Sequence, residues 1–218
     1  MRIILASASP RRKELFQTLF PDFEVIPAVG GESYTKTIPS EIVTQLSAQK
    51  ASEIEQSVNA VPSDRIHRPE YLIVGADTVV VFNGQVFGKP KDAPDAKKML
   101  RMLAGNVHEV YTGVTIILSL RGRRQYKELS ECTRVCFYPV TDAEIDAYIQ
   151  SGEPMDKAGS YGIQGIGGRF VQSISGDYQN VVGLPVARLY QELKAMEKDE
   201  RDEMEEKMWI PKKEADER

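Results

Sequence analysis

The first transition from strand to helix constrains the fold most, because two structural patterns meet there within a few residues. The apolar run RIILAS at residues 2–7 is typical of a short buried strand. Ser9 is a favoured helix N-cap residue, Pro10 suits the first helical position, and Leu15 and Leu19 then recur at helical spacing. A strand, a short loop and a helix in this order predict a sheet covered by helices.

Two cations occupy an unfavourable place in this helix. Arg11 and Arg12 fall in its first turn, where the helix dipole disfavours a positive charge by about 0.3–1 kcal/mol. They could be solvated surface side chains. They could instead form an anion site with the hydroxyls of Ser7 and Ser9 and the first-turn N–H groups, and a bound phosphate would then reverse the dipole penalty. The presence of these hydroxyl and N–H groups beside the two arginines favours the phosphate site.

Helix and strand patterns continue to alternate along the chain. Helices are predicted for PSEIVTQLSAQKASEIEQ with Ser40 as the cap, for DAPDAKKMLRMLAGN, for TDAEIDAYIQSG with Thr141 and Glu144 as a capping box, and behind Pro185. The run YLIVGADTVVVFNGQVF predicts two strands, the second turned at Asn83-Gly84 into a hairpin. HEVYTGVTIILSL and ELSECTRVCFYPV predict a long antiparallel pair joined by the basic turn RGRRQYK, and RFVQSIS predicts a further strand.

These elements together predict an α/β or α+β fold, with a mixed sheet between flanking helices. Residues 57–70 lose all periodicity and contain two prolines, so a surface loop is expected there. Residues 198–218 are nearly all charged and are expected to be frayed or disordered, which leaves residues 1–197 as the structured domain. A boundary within that domain is not visible in the sequence.

Composition excludes several functional classes. With 218 residues, of which 41% are hydrophobic, the chain can bury a sizeable core as one large domain or two small lobes. Its net charge of −4 argues against nonspecific electrostatic binding to nucleic acid or to an acidic membrane. No segment approaches the roughly 18 apolar residues of a membrane span, so a cytoplasmic protein is expected. Cys132, Cys136, His67 and His108 are too few and too isolated to indicate a disulfide framework or a zinc site.

Two acidic residues are candidates for catalysis or metal binding. Asp77 lies between two runs of strand-forming residues, where a carboxylate is costly unless it is paired, hydrated or metal-bound. It could also be a turn residue. Beside a phosphate site, Asp77 is a natural Mg²⁺ ligand or base for water, and Glu32 in VGGESY could supply a second oxygen ligand.

Two lysines are candidates for neutralising a phosphate chain. Lys50 flanks the packed face of the second predicted helix, and Lys89 follows the hairpin in FGKPKD. Lys89 could equally be an ordinary lysine before a turn proline. The segment GSYGIQGIGG is glycine-rich, but a glycine-rich loop by itself is weak evidence for nucleotide binding.

The chain resembles the Maf family of nucleotide pyrophosphatases in a series of segments that follow the family's order. These are LASASPRRKEL, GADTVV, GKP, MLRMLAGNVHEVYTGV and DKAGSYGIQGIGGRFVQSISGDYQNVVGLP. The resemblance extends from residue 3 to about residue 193, which is nearly the whole chain. The sub-patterns ADT and YGIQG are similar to those of family members associated with dTTP and UTP.

This resemblance implies a twisted mixed sheet between two lobes, related to the inosine triphosphate pyrophosphatases, with a nucleotide in the cleft. It implies hydrolysis of a nucleoside triphosphate to the monophosphate and pyrophosphate with a divalent cation, in a cytoplasmic protein that is often a homodimer. The oxygen donors of Glu32 and Asp77 favour Mg²⁺ or Mn²⁺ as that cation. The residue matching Asp77 is the family's proton acceptor, and further positions match residues that line its site: Ser9, Arg11, Arg12, Glu32, Lys50, Lys89 and Gln164. The alternative is a nucleotide-binding regulator of cell division or septum formation.

Base recognition is expected to involve Thr78 and Gln164. An amide presents a donor and an acceptor together, which suits the adjacent carbonyl and N–H of uracil or thymine. Cytosine reverses that order, and a glutamine amide that could flip would follow it. Selectivity therefore requires that the neighbours of Gln164 hold it in place.

Overall fold

The structure, a computed structural model, describes residues 1–60 and 69–208, the stretch 199–208 by its backbone alone. The strands are β1 (Arg2–Ala6), β2 (Glu24–Val25), β3 (Tyr71–Phe82), β4 (Gln85–Phe87), β5 (Val107–Leu120), β6 (Arg123–Phe137) and β7 (Val171–Ser175). The helices are α1 (Pro10–Gln17), α2 (Pro39–Asn59), α3 (Ala93–Leu103), α4 (Asp142–Gln150), α5 (Tyr178–Val182) and α6 (Val186–Met208). Short 3₁₀ turns lie between α4 and β7.

The seven strands of the described residues form one sheet, which is mixed as the sequence predicts, although the sequence pattern does not predict the short strand β2. Its order is β2-β1-β3-β5-β6-β7, with β4 paired to β3. β1 runs parallel to β2 and β3, whereas the remaining pairs are antiparallel. No described helix is apolar over a length that could cross a bilayer.

The pairing of β3 creates an opening in the sheet. One edge of β3 pairs with β5 along residues 71–81. On the other edge, β1 pairs as far as Gly75 and β4 pairs only from Val80 onward. Among the described residues, no strand covers positions 76–79 on that edge. The opening lies where β1 ends, which is the kind of strand end at which mixed α/β sheets bind ligands.

The two faces of the sheet carry different helices. On one face α2 packs against β1, β3 and β5. The cluster of buried residues between the helix and these strands includes Ala51 and Ile54 of α2 and Ile73 of β3. On the other face α3 and α4 cover a second cluster, which includes Leu100 and Tyr148. Residues Met1–Val186 form one compact unit, and the described part of the second unit is the remainder of α6.

Local predictions based on caps and turns are confirmed. The Ser9 hydroxyl accepts the N–H of Arg12 at 3.4 Å, so Ser9 is the cap of α1. Thr141 and Glu144 form the predicted capping box of α4. Asn83 and Gly84, both at positive φ, join β3 to β4 as predicted.

Two predicted helix boundaries are wrong. Ser40 is not the cap of α2, because Pro39 is already in the first turn and the cap position is Ile38, two residues before Ser40. The helix also continues to Asn59, so the loop predicted from residue 57 begins later. Residues 61–68 of that loop lie outside the described residues.

The predicted bounds of two further features, the strand that contains Asp77 and the turn after β5, are also wrong. β3 is a single strand through Asp77, not two strands, because that carboxylate is paired and does not have to leave the sheet. The turn between β5 and β6 comprises only Arg121 and Gly122, both at positive φ. The basic residues after that turn lie among the first six residues of β6, all of them exposed or half-buried, where charged side chains are tolerated.

Two further boundaries differ from the sequence pattern. β7 begins at Val171, since the two residues before it lie in a 3₁₀ turn. α6 continues past Lys198 to Met208 as helical backbone, in a segment whose charge content favours fraying. Residues 209–218 of the predicted tail lie outside the described residues.

Candidate active site

A cavity of about 550 Å³ lies at the opening beside β3. Strand neighbours point to opposite faces of a sheet, but Asp77 and Thr78 both line this cavity because no strand covers their edge. The structure brings every predicted site residue to the same cavity: Ser9, Arg11, Arg12, Glu32, Lys50, Asp77, Thr78, Lys89 and Gln164.

Arg12 is fixed in the cavity wall by three hydrogen bonds. Its guanidinium donates to the Gly183 carbonyl at 2.8 Å, to Thr78 Oγ1 at 2.9 Å and to Ser7 Oγ at 3.3 Å. Thr78 Oγ1 is also 2.9 Å from Thr112 Oγ1. Burial lowers the pKa of Arg12 and the charge of Asp77 opposes that shift, so a cation is held here at neutral pH.

Arg11 belongs to a second group that sequence reasoning missed. Its guanidinium donates to Asp156 Oδ2 at 3.1 Å, and Lys157 Nζ donates to Asp156 Oδ1 at 2.7 Å. Both Asp156 and Lys157 line the cavity. The available signal was the acidic and basic pair directly before the glycine-rich segment.

Lys50, Asp77 and Glu32 form the third group. Lys50 Nζ lies 2.5 Å from Asp77 Oδ1 and 2.8 Å from Glu32 Oε1. The hydrogen bond from Lys50 lowers the pKa of Glu32, and this effect outweighs the burial that raises it. Two carboxylates that converge on one ammonium group define a point where cations bind.

The donor set at this point fits a hard divalent cation. Glu32 and Asp77 offer carboxylate oxygens, which Mg²⁺ and Mn²⁺ prefer. Within the described residues, no group of three or more His, Cys, Asp and Glu side chains is placed to hold a metal ion. An ion bound here would therefore complete its shell with water and phosphate oxygens, as Mg²⁺ commonly does.

Glu32 is positioned by the helix that also carries Lys50. Glu53 of α2 accepts the N–H groups of Val29 at 2.7 Å and Gly30 at 3.0 Å. One and two turns earlier on α2, Gln49 and Gln45 bind the backbone of residues 33 and 35. These contacts lay the loop along α2 and place Glu32 beside Lys50.

The charge of the cavity differs from that of the whole chain. Three carboxylates line it, those of Glu32, Asp77 and Asp156. It is also lined by five cations: Arg11, Arg12, Lys50, Lys89 and Lys157. The chain as a whole has a net charge of −4. Positive charge is therefore concentrated at one concave site, which suits a polyphosphate ligand.

The family follows from a comparison of the whole chain. The model of Maf-like proteins matches residues 2–196. The chain belongs to the Maf family. It is 51% identical over 199 residues to the dTTP/UTP pyrophosphatase of Agathobacter rectalis, and the match covers 89% of this chain and 97% of the relative. It is 49% identical over 194 residues to the protein of the same name from Carboxydothermus hydrogenoformans, with 89% and 98% covered.

A Bacillus thuringiensis relative, also named dTTP/UTP pyrophosphatase, is 47% identical over 194 residues. That match covers 88% of this Maf protein and 94% of the relative. The matched region contains every residue that lines the cavity, from Ala6 to Gly183. The cavity is thus a feature of the Maf domain itself.

Proposed function

We propose that this Maf protein hydrolyses nucleoside triphosphates, with dTTP and UTP as the preferred substrates, to the monophosphate and pyrophosphate. The observation that carries the proposal is the cavity itself, where five cations surround the carboxylates of Asp77 and Glu32. The names of the relatives at 47–51% identity support the pyrimidine substrates.

Different cations of the cavity would bind different parts of the phosphate chain. Arg12 lies in the first turn of α1, where the helix dipole would also stabilise a phosphate. Lys50, Lys89 and Lys157 would neutralise the other phosphate oxygens. A bound phosphate would thus explain why Arg12 occupies a helix position that otherwise disfavours a cation, whereas Arg11 is paired with Asp156.

Asp77 would accept a proton from the attacking water. A water oxygen bonds to the α-phosphorus, the bond from that phosphorus to the oxygen bridging to the β-phosphorus breaks, and pyrophosphate leaves with the electron pair. Among the described residues, the one hydrogen bond to the Asp77 carboxylate reaches Oδ1, so Oδ2 can take the water proton. Lys50 holds the carboxylate in position for this transfer.

Glu32 and Asp77, the latter through the oxygen that does not take the water proton, would hold the divalent cation, whose charge would stabilise the negative charge on the phosphate oxygens. The expected result is that EDTA abolishes turnover and that Mg²⁺ or Mn²⁺ restores it. Full turnover in chelator would show that lysines and arginines are sufficient. A homodimer and a cytoplasmic location stay predictions from the family resemblance.

Gln164 is the proposed reader of the base. Its side chain is exposed on the glycine-rich loop and lines the cavity. The Thr78 hydroxyl already bonds Arg12 and Thr112, so any contact of Thr78 with a base would be shared with that network. The Gln164 amide therefore has more donors and acceptors available to a base than the Thr78 hydroxyl has.

The deciding experiment measures pyrophosphate and monophosphate release from dTTP, UTP, CTP, ATP and GTP. We expect kcat/KM for dTTP and UTP to exceed the others by about tenfold or more, since a polar group left without its partner in the complex costs about 1–3 kcal/mol. Preference for ATP or GTP would refute the base assignment.

The Asp77→Asn variant tests the catalytic role of Asp77. Its kcat should fall by at least about 100-fold while nucleotide binding is retained, because asparagine cannot accept the proton. Lys50 keeps its contact with Glu32 in this variant, so the fold should persist. Near-normal turnover would contradict the role, and a wild-type protein that binds nucleotide without hydrolysis would favour the regulatory alternative.

A further inference from the structure

Two side chains outside the cavity hold the loop that carries Gln164. Tyr148 is on α4, and Glu153 begins the 3₁₀ turn that follows it. Neither residue lines the cavity. Tyr148 OH donates to Glu153 Oε1 at 2.9 Å, so the two side chains form one unit, called here the Tyr148–Glu153 clamp.

The clamp binds the loop backbone on both sides of Gln164. On the N-terminal side, the N–H of Gly162 donates to Tyr148 OH at 3.1 Å. On the C-terminal side, the N–H groups of Ile166 and Gly167 donate to the Glu153 carboxylate at 2.8 and 3.2 Å. Gln164 therefore lies in a short segment with both ends fixed to the same pair of side chains.

The loop lies directly against the clamp. A Cβ at Gly165 would come within 2.5 Å of both Glu153 carboxylate oxygens, and one at Gly167 would lie 2.6 Å from Tyr148 OH. Glycine at these two positions is what allows the backbone to approach so closely. These glycines cannot fix the loop by side-chain packing, so the hydrogen bonds to the clamp hold it, together with the packing of Ile163 against the core.

The protonation states agree with this role. Burial raises the pKa of Glu153, but the N–H groups of Ile166 and Gly167 and the hydroxyl of Tyr148 outweigh it, and the pKa lies below its ordinary value. Burial raises the pKa of Tyr148, which therefore stays a donor at neutral pH. A charged acceptor and a neutral donor are the states that the clamp requires.

We propose that Tyr148 and Glu153 are positioning residues that set base selectivity by fixing Gln164, an inference that rests on the proposed function. With the loop held, the backbone of Gln164 has a fixed place, so its amide approaches the base at one distance and in one direction. With the loop released, the amide can move to positions from which it also pairs with cytosine, whose donor and acceptor order is reversed at this edge. The clamp thus acts on selectivity more than on phosphate chemistry.

The test compares kcat/KM for dTTP and CTP in Glu153→Gln and Tyr148→Phe. Glutamine removes one acceptor oxygen, and phenylalanine removes the hydroxyl while retaining the ring. In both variants we expect the dTTP/CTP ratio to fall by about tenfold, with a smaller change in kcat for dTTP. The matched control is Asp146→Asn, which alters a carboxylate on α4 that pairs with Lys97 and does not contact the loop.

A double-mutant cycle separates positioning from general destabilisation. In a Gln164→Ala background, Glu153→Gln should leave the dTTP/CTP ratio unchanged, because the reader of the base is already gone. A ratio that stays at the wild-type value in the folded single variants would overturn the proposal. So would a ratio that Glu153→Gln still lowers in the Gln164→Ala background. Failure of wild-type protein to hydrolyse dTTP would instead refute the proposed function.

Amide hydrogen exchange of the wild-type protein gives a second readout that does not depend on the variants. The N–H groups of Gly162, Ile166 and Gly167 should be protected, since each is bound to the clamp. Rapid exchange at all three amides would overturn the proposal even if both variants failed to fold.

Discussion

At the scale of single residues, the ion pair of Asp77 and Lys50 explains how a carboxylate remains within a buried strand. Asp77 is 7% exposed, and an isolated charge at such a position would destabilise the fold. The ammonium group at 2.5 Å compensates it and also directs the carboxylate toward the cavity. A buried ion pair often adds little to the stability of a fold, so the presence of this pair fits a catalytic use of Asp77.

His108 is the second buried polar side chain with a physical consequence. It is 1% exposed, its Nε2 lies 2.9 Å from Tyr161 OH, and its Nδ1 has no hydrogen-bond partner in the described part of the chain. The rings of Phe137 and Tyr161 pack edge-on against it. Burial lowers its pKa from 6.5 to about 4, so the folded protein contains the neutral imidazole.

This pKa shift predicts a loss of stability in mild acid. Between pH 6.5 and about 4, the unfolded chain binds a proton that the folded chain does not, so the stability falls as the pH is lowered through this window. From pH 7.5 to pH 5 the contribution is about 2 kcal/mol. Urea unfolding of wild-type and His108→Phe at both pH values measures it, because shared carboxylate effects cancel in the difference. Equal pH dependence in the two proteins would contradict the assignment.

At the scale of elements, the approach of α2 to the sheet places Lys50 near Asp77. The helix packs against β3 and β5 where both strands carry glycine. A Cβ at Gly75 would lie 2.5 Å from the Ser47 carbonyl oxygen, and one at Gly113 would lie 2.3 Å from the Val43 carbonyl. Gly113 is also the register partner of Asp77. The missing side chain opposite Asp77 is therefore what lets α2 come close.

Gly113→Ala should weaken both folding and catalysis. The new Cβ meets helix backbone, which cannot rotate away, so α2 must shift, and overpacking of this kind costs about 1–3 kcal/mol. The shift also moves Lys50 and should lower kcat/KM for dTTP. Urea unfolding and steady-state kinetics measure the two effects. The matched control is Gly31→Ala, where a Cβ meets nothing within 4 Å, and equal stability of the two variants would contradict the argument.

At the scale of the whole molecule, the site depends on a change of strand direction. β1 and β4 share one edge of β3 but run in opposite directions, and the gap between them forms the opening of the cavity. Loops from distant parts of the chain meet at this gap. Cations from residues 11, 12, 50, 89 and 157 can therefore act on one ligand although the net charge of the chain is negative.

Every residue that lines the cavity lies between Ala6 and Gly183. A chain that ends at Lys198 should therefore keep kcat/KM for dTTP within about twofold of the full-length value, as expected for the removal of a terminal segment that contributes no site residue. Kinetics of the shortened protein, with circular dichroism as the check on folding, test this. A large loss of activity in a folded protein would show that the tail assists the domain.

The sequence by itself determined the features that depend on neighbouring residues. The cap at Ser9, the first-turn arginines, the turn at Asn83-Gly84 and the capping box of α4 are all readable because each is set by φ and ψ within a few positions. The residue types and the order of the motifs also identified the cavity residues from Ser9 to Gln164, since the family resemblance extends over nearly the whole chain.

Only the tertiary structure decided the features that join residues distant in the chain. Asp77 stays within one strand because Lys50, 27 positions earlier, neutralises it. Asp156 and Lys157 join the cavity because Arg11, on the far side of the sequence, pairs with Asp156. The Tyr148–Glu153 clamp recognises backbone N–H groups, which have no sequence signature. Such contacts depend on strand register and helix approach, and local periodicity does not encode either one.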